Sequence, residues 1–298
     1  MTQTPPAPES AVPPFPAHRG APRPRSMFYD SAARESVGAF LLGTVRELYG
    51  LRHAIASLVL NGLRNRYRRS VLGWSWSLLE PLLWLAVMAA VFSLVLGIRL
   101  KDYTLFLFSG LLPWQFISNS MVRGGRSLVE AEAFLKRVYL PKAMFPIASV
   151  CAETVNFVLN LTSLLILGLC LGFRLGWTVI LLPGALVLAF ALSLGLALAL
   201  SVVTVYVRDT TQLVQVGLQA TLYLLPVLYP LERIPPAYQG YFAANPFYPI
   251  ISLFQQILHA HAVPALRDWL LAAGISALAL ALGVGLLRRR GADIIYQL

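Results

Sequence analysis

The densest polar chemistry inside the apolar part of this 298-residue chain is a row of five residues: Ser149, Glu153, Asn156, Asn160 and Ser163. Spaced alternately four and three residues apart, they fall within an arc of about 80° on a helix. An ionisable residue such as Glu153 inside an apolar run faces protein or water, not lipid. Such a stripe has two uses. It can line a conduit where solute hydroxyls find hydrogen-bond partners, or it can tie neighbouring helices together through buried amides. Catalysis is poorly served by what remains. His259 and His261 stand in a HAHA sequence with no carboxylate nearer than Asp268, too few donors for a metal site. Asp209 beside Arg208 reads as a local ion pair at a helix end. Cys151 and Cys170 share one apolar stretch and read as small buried hydrophobes rather than as a disulfide or metal ligands. No GxxxxGK[ST] loop is present to cradle ATP phosphates, so energy for any driven process must come from another polypeptide.

The second chemistry is cationic. Arg64, Arg66, Arg68 and Arg69 crowd the sequence RNRYRRSVLGWSWSLLEP (64–81), and an apolar run to Ile98 follows at once. From Leu82 that run is about 26 Å of helix at 1.5 Å per residue, enough to cross a bilayer with its flanks. Arginines abutting such a segment fix that end on the cytoplasmic side, and Trp74 and Trp76 suit the headgroup level.

The elements that must position these groups are membrane helices. Hydrophobic residues make up 57% of the chain and charged residues 12%, with a mean hydropathy of +0.68. The net charge of +11 belongs to juxtamembrane loops facing anionic lipid, because no folded soluble part is large enough to present a basic face to nucleic acid. Residues 1–26 are Pro/Ala/Arg-rich and are expected to be a disordered cytoplasmic tail, without the apolar core of a signal peptide. Residues 27–70 form an amphipathic interfacial region. Between about Val45 and Arg69, Leu48, Leu51, Ile55, Leu58 and Val59 share one helical face and His53, Ser57, Asn61, Arg64 and Arg68 the other. That pattern suits a helix lying in the membrane plane, and a helix packed on protein would give it too.

Residues 71–298 are expected to cross the membrane six times, at Leu78–Ile98, Tyr103–Ser120, Ala143–Leu171, Trp177–Val205, Leu213–Tyr229 and Trp269–Leu287. Phe247–Leu258 is too short to span and its start is broken by Pro246 and Pro249, so it reads as re-entrant. Charge supports six. With both termini inside, all of the 24 Lys and Arg residues except Arg99, Lys101, Arg174, Arg233 and Arg267 face the cytoplasm. A seventh crossing would put Arg288, Arg289 and Arg290 outside, against the positive-inside bias.

The inner loop contains SLVEAEAFLKRVYLPK, in which Leu128, Ala131, Leu135 and Val138 share a face and Glu130, Glu132, Lys136 and Arg137 carry charge before Pro141 stops the helix. A short amphipathic helix there suits docking of a soluble partner, and an ordinary connecting loop fits equally. Aromatic residues gather toward the outer half, among them Tyr103, Phe106, Tyr223 and Tyr229. They could line a conduit with their ring faces, and an interfacial aromatic belt predicts nearly the same set. The prolines and aromatics of the 222–249 stretch (Pro226, Pro230, Tyr238, Tyr241, Phe242, Asn245, Pro246) are candidates for an outer gate, since broken helices line cavities.

Six segments resemble one family: RYRRSVLGWSWSLLEP (66–81), SGLLPWQFIS (109–118), FLKRVYLPKAMFP (134–146), VYVRD (205–209), LPVLYP (225–230) and ANPFYPIISLF (244–254). Together they resemble the permease subunits of ABC exporters for bacterial surface polysaccharides, of the O-antigen, capsule and teichoic-acid type. The resemblance runs from about Val45 to the C-terminus. It implies an all-α membrane protein with six transmembrane helices per protomer. An N-terminal interface helix, a short cytoplasmic coupling helix and a periplasmic re-entrant segment before the last helix would complete it. It further implies a homodimer in the bacterial cytoplasmic membrane, working with two copies of a separate ATPase that binds ATP and Mg, and with no cofactor on this chain. Glu130, Glu132, Phe134, Leu135, Lys136 and Arg137 would then enter a cleft on the ATPase. The arginines at 64–69 would brace that contact or bind a lipid diphosphate. Two positions depart from the family pattern: Glu80 stands where asparagine is common, and Gln255 where arginine is usual. The rival readings are an exporter of drugs or other small molecules and a membrane-embedded glycan-modifying transferase.

Overall fold

The computed structural model describes residues 46–67 and 100–297, apart from 139, 171, 173–175 and 292, together with scattered positions between 43 and 95. The tail at 1–26, Arg68, Arg69, Glu80 and most of the Leu78–Ile98 crossing lie outside the described residues. The described part is all-helical. Helix α1 is Arg52–Tyr67, α2 Leu100–Glu130, α3 Glu132–Leu135, α4 Met144–Cys170, α5 Leu182–Tyr206 and α6 Thr210–Leu224. Helix α7 is Pro236–Ala243, α8 Tyr248–Leu258, α9 Leu266–Arg290 and α10 Ile294–Gln297.

Among the described residues four helical stretches are long and apolar enough to cross a membrane: Tyr103–Glu130, Met144–Ile166, Trp177–Tyr206 and Leu266–Arg290. They correspond to four of the six expected crossings, with one change of length. The second does not stop near Ser120 but runs on as α2 to Glu130, 31 residues with Pro113 inside. Arg123 and Arg126, expected in a loop, therefore ride on a membrane helix. The expected fifth crossing becomes α6, only 15 residues, because the chain turns extended at Leu225, ahead of Pro226.

Helix α5 is the hub. It is apolar on every side, as a helix buried among others must be, and it packs against α2 and α9. Small residues set the approach. A Cβ added at Gly283 would lie 2.2 Å from the Gly195 carbonyl oxygen, and one at Gly195 would meet the Ala279 backbone at 2.3 Å. Gly124 meets Ala197 in the same manner on the α2 side. In lipid, where apolar side chains gain nothing by leaving hydrocarbon, such close contact holds helices together.

Two cores result. The larger joins Leu107, Leu111 and Ile117 of α2 to Phe157 of α4, Leu192 of α5, the turn residues Leu225 and Val227, and Ile250 and Phe254 of α8. Helix α8 is buried along nearly its whole length, with Pro249–Phe254, Ile257 and Leu258 all inside. The smaller core lies at the other end, where Leu128, Ala131 and Leu135 pack with Phe145, Val202, Leu287 and Ile294. Leu48, Leu51, Ile55 and Leu58 rest on this second core, so the apolar face of the interfacial region is seated on protein. Exposed apolar residues such as Ile166, Leu213, Val216, Leu278 and Leu282 provide surface that suits lipid.

Replacing Gly283 with Val should separate α5 from α9. Because the obstruction is backbone, the expected loss is about 3 kcal/mol or more, measurable as a lower denaturation midpoint in detergent. Ala279→Ser, which keeps the small size, should stay within about 1 kcal/mol.

Candidate functional site

A cleft of about 840 Å³ opens between α1, α2, α4 and α6, with Phe134 of α3 at its edge. Each helix gives it one face. From α2 come Trp114, Ser118, Asn119, Arg123, Arg126, Ser127 and Glu130, and from α4 come Phe145, Ser149, Glu153 and Asn156. Helix α6 adds Gln215 and Gln219, and α1 adds Leu58, Asn61 and Leu63. The volume falls in the range of about 300–1,000 Å³ usual for ligand sites, but the lining is far more polar than a lipid-packed groove.

The polar stripe on α4 divides. Ser149, Glu153 and Asn156 line the cleft. Asn160 and Ser163 are not among its walls, and Ser163 Oγ donates to its own helix at the Leu159 carbonyl, 2.8 Å away. Glu153, 3% exposed, accepts from Arg123 Nε at 3.1 Å. That pair ties α4 to α2, so one residue serves both uses the sequence left open: it joins helices and it faces the cleft. Among the described residues the buried amide oxygens of Asn156 and Asn160 have no hydrogen-bond partner, nor has Ser120 Oγ. Orphan acceptors of this kind cost about 1–3 kcal/mol each.

Sequence reasoning missed several walls of this cleft. Arg123 and Arg126 fall in an expected loop because α2 continues ten residues past Ser120, and Asn119, inside the expected crossing, carries no signal of its own. Gln215 and Gln219 carried a usable signal, since two amides four residues apart in an apolar helix share a face.

The aromatic candidates separate as well. Tyr103 is 1% exposed, and its hydroxyl donates to the Leu228 carbonyl. Phe106 is buried, edge-on to the His259 ring at 5.4 Å. Both belong to the larger core, covered there by the turn at Leu228 and by His259. Tyr223 is exposed, and Tyr229 donates to the Tyr223 carbonyl.

Of the gate candidates, Pro226 is buried in the turn, its carbonyl accepting from Gln255 Nε2 at 2.9 Å. Gly110 leaves the room for that amide, since a Cβ there would meet Gln255 Nε2 at 2.8 Å. Gln255 therefore acts as a neutral pin in place of the expected cation. Pro230 precedes a short 3-10 turn, Leu231–Arg233. Phe242 packs edge-on to Tyr229 at 6.3 Å, and Asn245 Oδ1 accepts from the Phe247 N–H at 3.0 Å. Tyr238, Tyr241 and Pro246 are exposed.

At the opposite end, α2 breaks at Ala131, and α3 is a single turn. Leu128, Ala131 and Leu135 are buried as their shared face implies, but Val138 is exposed because the helix has already ended. Leu135 thus closes the second core and is not free to enter a partner. Phe134 is 62% exposed, beside the Glu132–Lys136 pair at 2.6 Å. Lys136 and Arg137 are exposed too. The Lys136 hydrogen bond and charge hold the Glu132 carboxyl below its ordinary pKa. Asp209 makes no ion pair with Arg208, which instead acts on Glu132 through its charge. Glu130 stands exposed at the rim of the cleft. Arg64 and Arg66 lie on the last turns of α1.

The family model described as ABC-2 type transporter matches residues 53–259. The chain is 32% identical to the O-antigen export system permease protein RfbA of Myxococcus xanthus, over 79% of this chain and 92% of that protein. It is 27% identical to RfbA of Klebsiella pneumoniae over 65% of this chain and 76% of the relative. With the polysialic acid transport protein KpsM of Escherichia coli it shares 24% over 68% and 80%.

Two measurements test this geometry. Arg123 is half exposed while Glu153 is buried, so a double-mutant cycle of Arg123→Gln and Glu153→Gln should give a coupling of about 1–2 kcal/mol, between the values for exposed and buried pairs. Lys142 donates to the Gly291 carbonyl at the end of α9, and burial lowers its pKa from 10.5 to about 8. Between those values the unfolded chain holds a proton that the folded chain has lost. Stability should therefore rise as pH increases from about 8 to 10.5, and a Lys142→Met variant should lose that rise.

Proposed function

From its place in the ABC-2 type transporter family, to which this chain belongs, we propose that it is the permease of an ATP-driven exporter of lipid-linked surface polysaccharide. The observation that carries the reading is the match to an O-antigen export permease across 92% of that protein's length. A polar cleft with two arginines and several amides suits a hydroxyl-rich anionic cargo better than an apolar drug.

In this reading two copies of the chain pair in the cytoplasmic membrane, both termini inside, with two copies of a separate ATPase binding ATP and Mg. Helix α3 meets the ATPase through Phe134, Glu132, Lys136 and Arg137, while Leu135 anchors the turn to the bundle. Helix α8, buried but too short to span, is the re-entrant segment, and the exposed Tyr238 and Tyr241 face the outer side. The arginines at 64–69 lie at the inner surface.

Transport into inverted vesicles, with the ATPase supplied, should accumulate a lipid-linked glycan and leave small amphiphilic drugs unmoved. The opposite preference would favour the small-molecule reading. Phe134→Asp should abolish co-purification with the ATPase at unchanged melting temperature. Leu135→Asp should instead lower the melting temperature, because it places a charge in the second core.

A further inference from the structure

We propose that the cleft receives the glycosyl diphosphate head of a lipid-linked glycan within a single protomer, Arg126 binding phosphate and the Asn156 amide oxygen accepting from a sugar hydroxyl. This rests on the export reading above and assigns the part of the substrate that the site holds.

Two unsatisfied groups on adjacent walls carry the inference. Asn156 is 6% exposed and lines the cleft, yet its Oδ1 has no donor among the described residues. A buried acceptor without a donor is a standing cost, and a ligand hydroxyl relieves it. On the adjoining wall, Arg126 is half-buried on α2 and makes no ion pair among the described residues. Its neighbour Arg123 differs, being already answered by Glu153. An unanswered guanidinium presents up to five donors in a planar fork that matches phosphate oxygens. Hydroxyl-seeking oxygen and phosphate-seeking cation, lining one space of about 840 Å³, match the two halves of a sugar phosphate. Trp114, Gln215 and Gln219 complete the wall, the amides offering further hydrogen bonds.

The rim points to a membrane-tethered source of that phosphate. Gln215 and Gln219 share α6 with Leu213 and Val216, which are 70% and 61% exposed. On α1, Leu60 is 51% exposed beside the lining residues Asn61 and Gly62. An isoprenoid tail can lie along these apolar surfaces while its head turns into the polar space. A soluble nucleotide sugar would gain nothing from them.

The full-length chain in lipid nanodiscs tests this with three probes: farnesyl diphosphoryl-N-acetylglucosamine, farnesyl diphosphate and UDP-N-acetylglucosamine. Arg126→Gln should weaken both farnesyl probes about tenfold or more, the scale of one charge-assisted contact, while Arg126→Lys stays within a few-fold of wild type. Asn156→Leu should weaken the sugar-bearing probe about tenfold and leave farnesyl diphosphate unchanged. Wild-type affinity for both farnesyl probes in Arg126→Gln and Asn156→Leu, at wild-type melting temperatures, would overturn the site. Equal loss of both farnesyl probes in Asn156→Leu would overturn its assignment to the sugar, and equally tight UDP-N-acetylglucosamine would overturn the tethered source. Vesicle transport of lipid-linked glycan separates the two levels. If wild type and both variants transport it alike, the site fails and the export reading stands. If wild type does not transport it at all, the export reading fails whatever the probes bind.

Discussion

Hydrocarbon offers no hydrophobic force to press one apolar helix against another, so this bundle depends on how closely its helices can approach. Helix α5 meets that constraint with small residues. At Gly195 it touches the backbone of α9 around Ala279 and Gly283, and at Ala197 it receives Gly124 of α2. Dispersion between atoms in such contact is small per pair and large in sum. Held from one side in this way, α2 is left with a second face that packing with α5 does not need. That face carries Ser118, Asn119, Arg123 and Arg126, and it builds the cleft.

Polarity within a membrane span is costly wherever it is unanswered. The cleft answers part of that cost internally and leaves part open. Glu153 is paired with Arg123, which adds a tie between α4 and α2 that lies apart from the apolar core. The Asn156 oxygen and Arg126 have no such partner among the described residues. A site that satisfied all its own groups would have little left to offer a cargo. Incomplete satisfaction costs stability and leaves hydrogen-bonding capacity for a ligand.

The sequence spoke clearly where one physical rule acted alone. Apolar length marked the helices that became α4, α5 and α9, and the spacing of Leu128, Ala131 and Leu135 marked their burial together. It spoke less clearly where rules competed. Polar residues after Ser120 suggested the end of a crossing, but α2 continues because its other face is held by Gly124 and Gly125 against α5. Tyr103 and Phe106 looked like boundary aromatics, since their composition does not reveal that Leu228 and His259 wait for them across the bundle. Gln255 looked like a lost charge, and only the turn at Pro226 explains why a neutral donor fits there. Each of these depends on a partner distant in sequence, which local pattern does not carry.

Continuity of α2 links the cleft to the surface beside it. The helix that bears Arg123 and Arg126 runs unbroken to Glu130, bends at Ala131 and ends in the single turn that presents Phe134. From Arg126 to Glu130 is little more than one helical turn, about 6 Å, and Phe134 itself borders the cleft. Leu135 fastens that turn to the same core that holds α9 through Leu287 and α10 through Ile294. A push on Phe134 therefore meets a body whose Leu135 is anchored in the second core, while Phe134 itself stands at the edge of the open cleft. In the proposed exporter, an ATPase seated on Phe134 would act on the cleft wall without any intervening flexible loop.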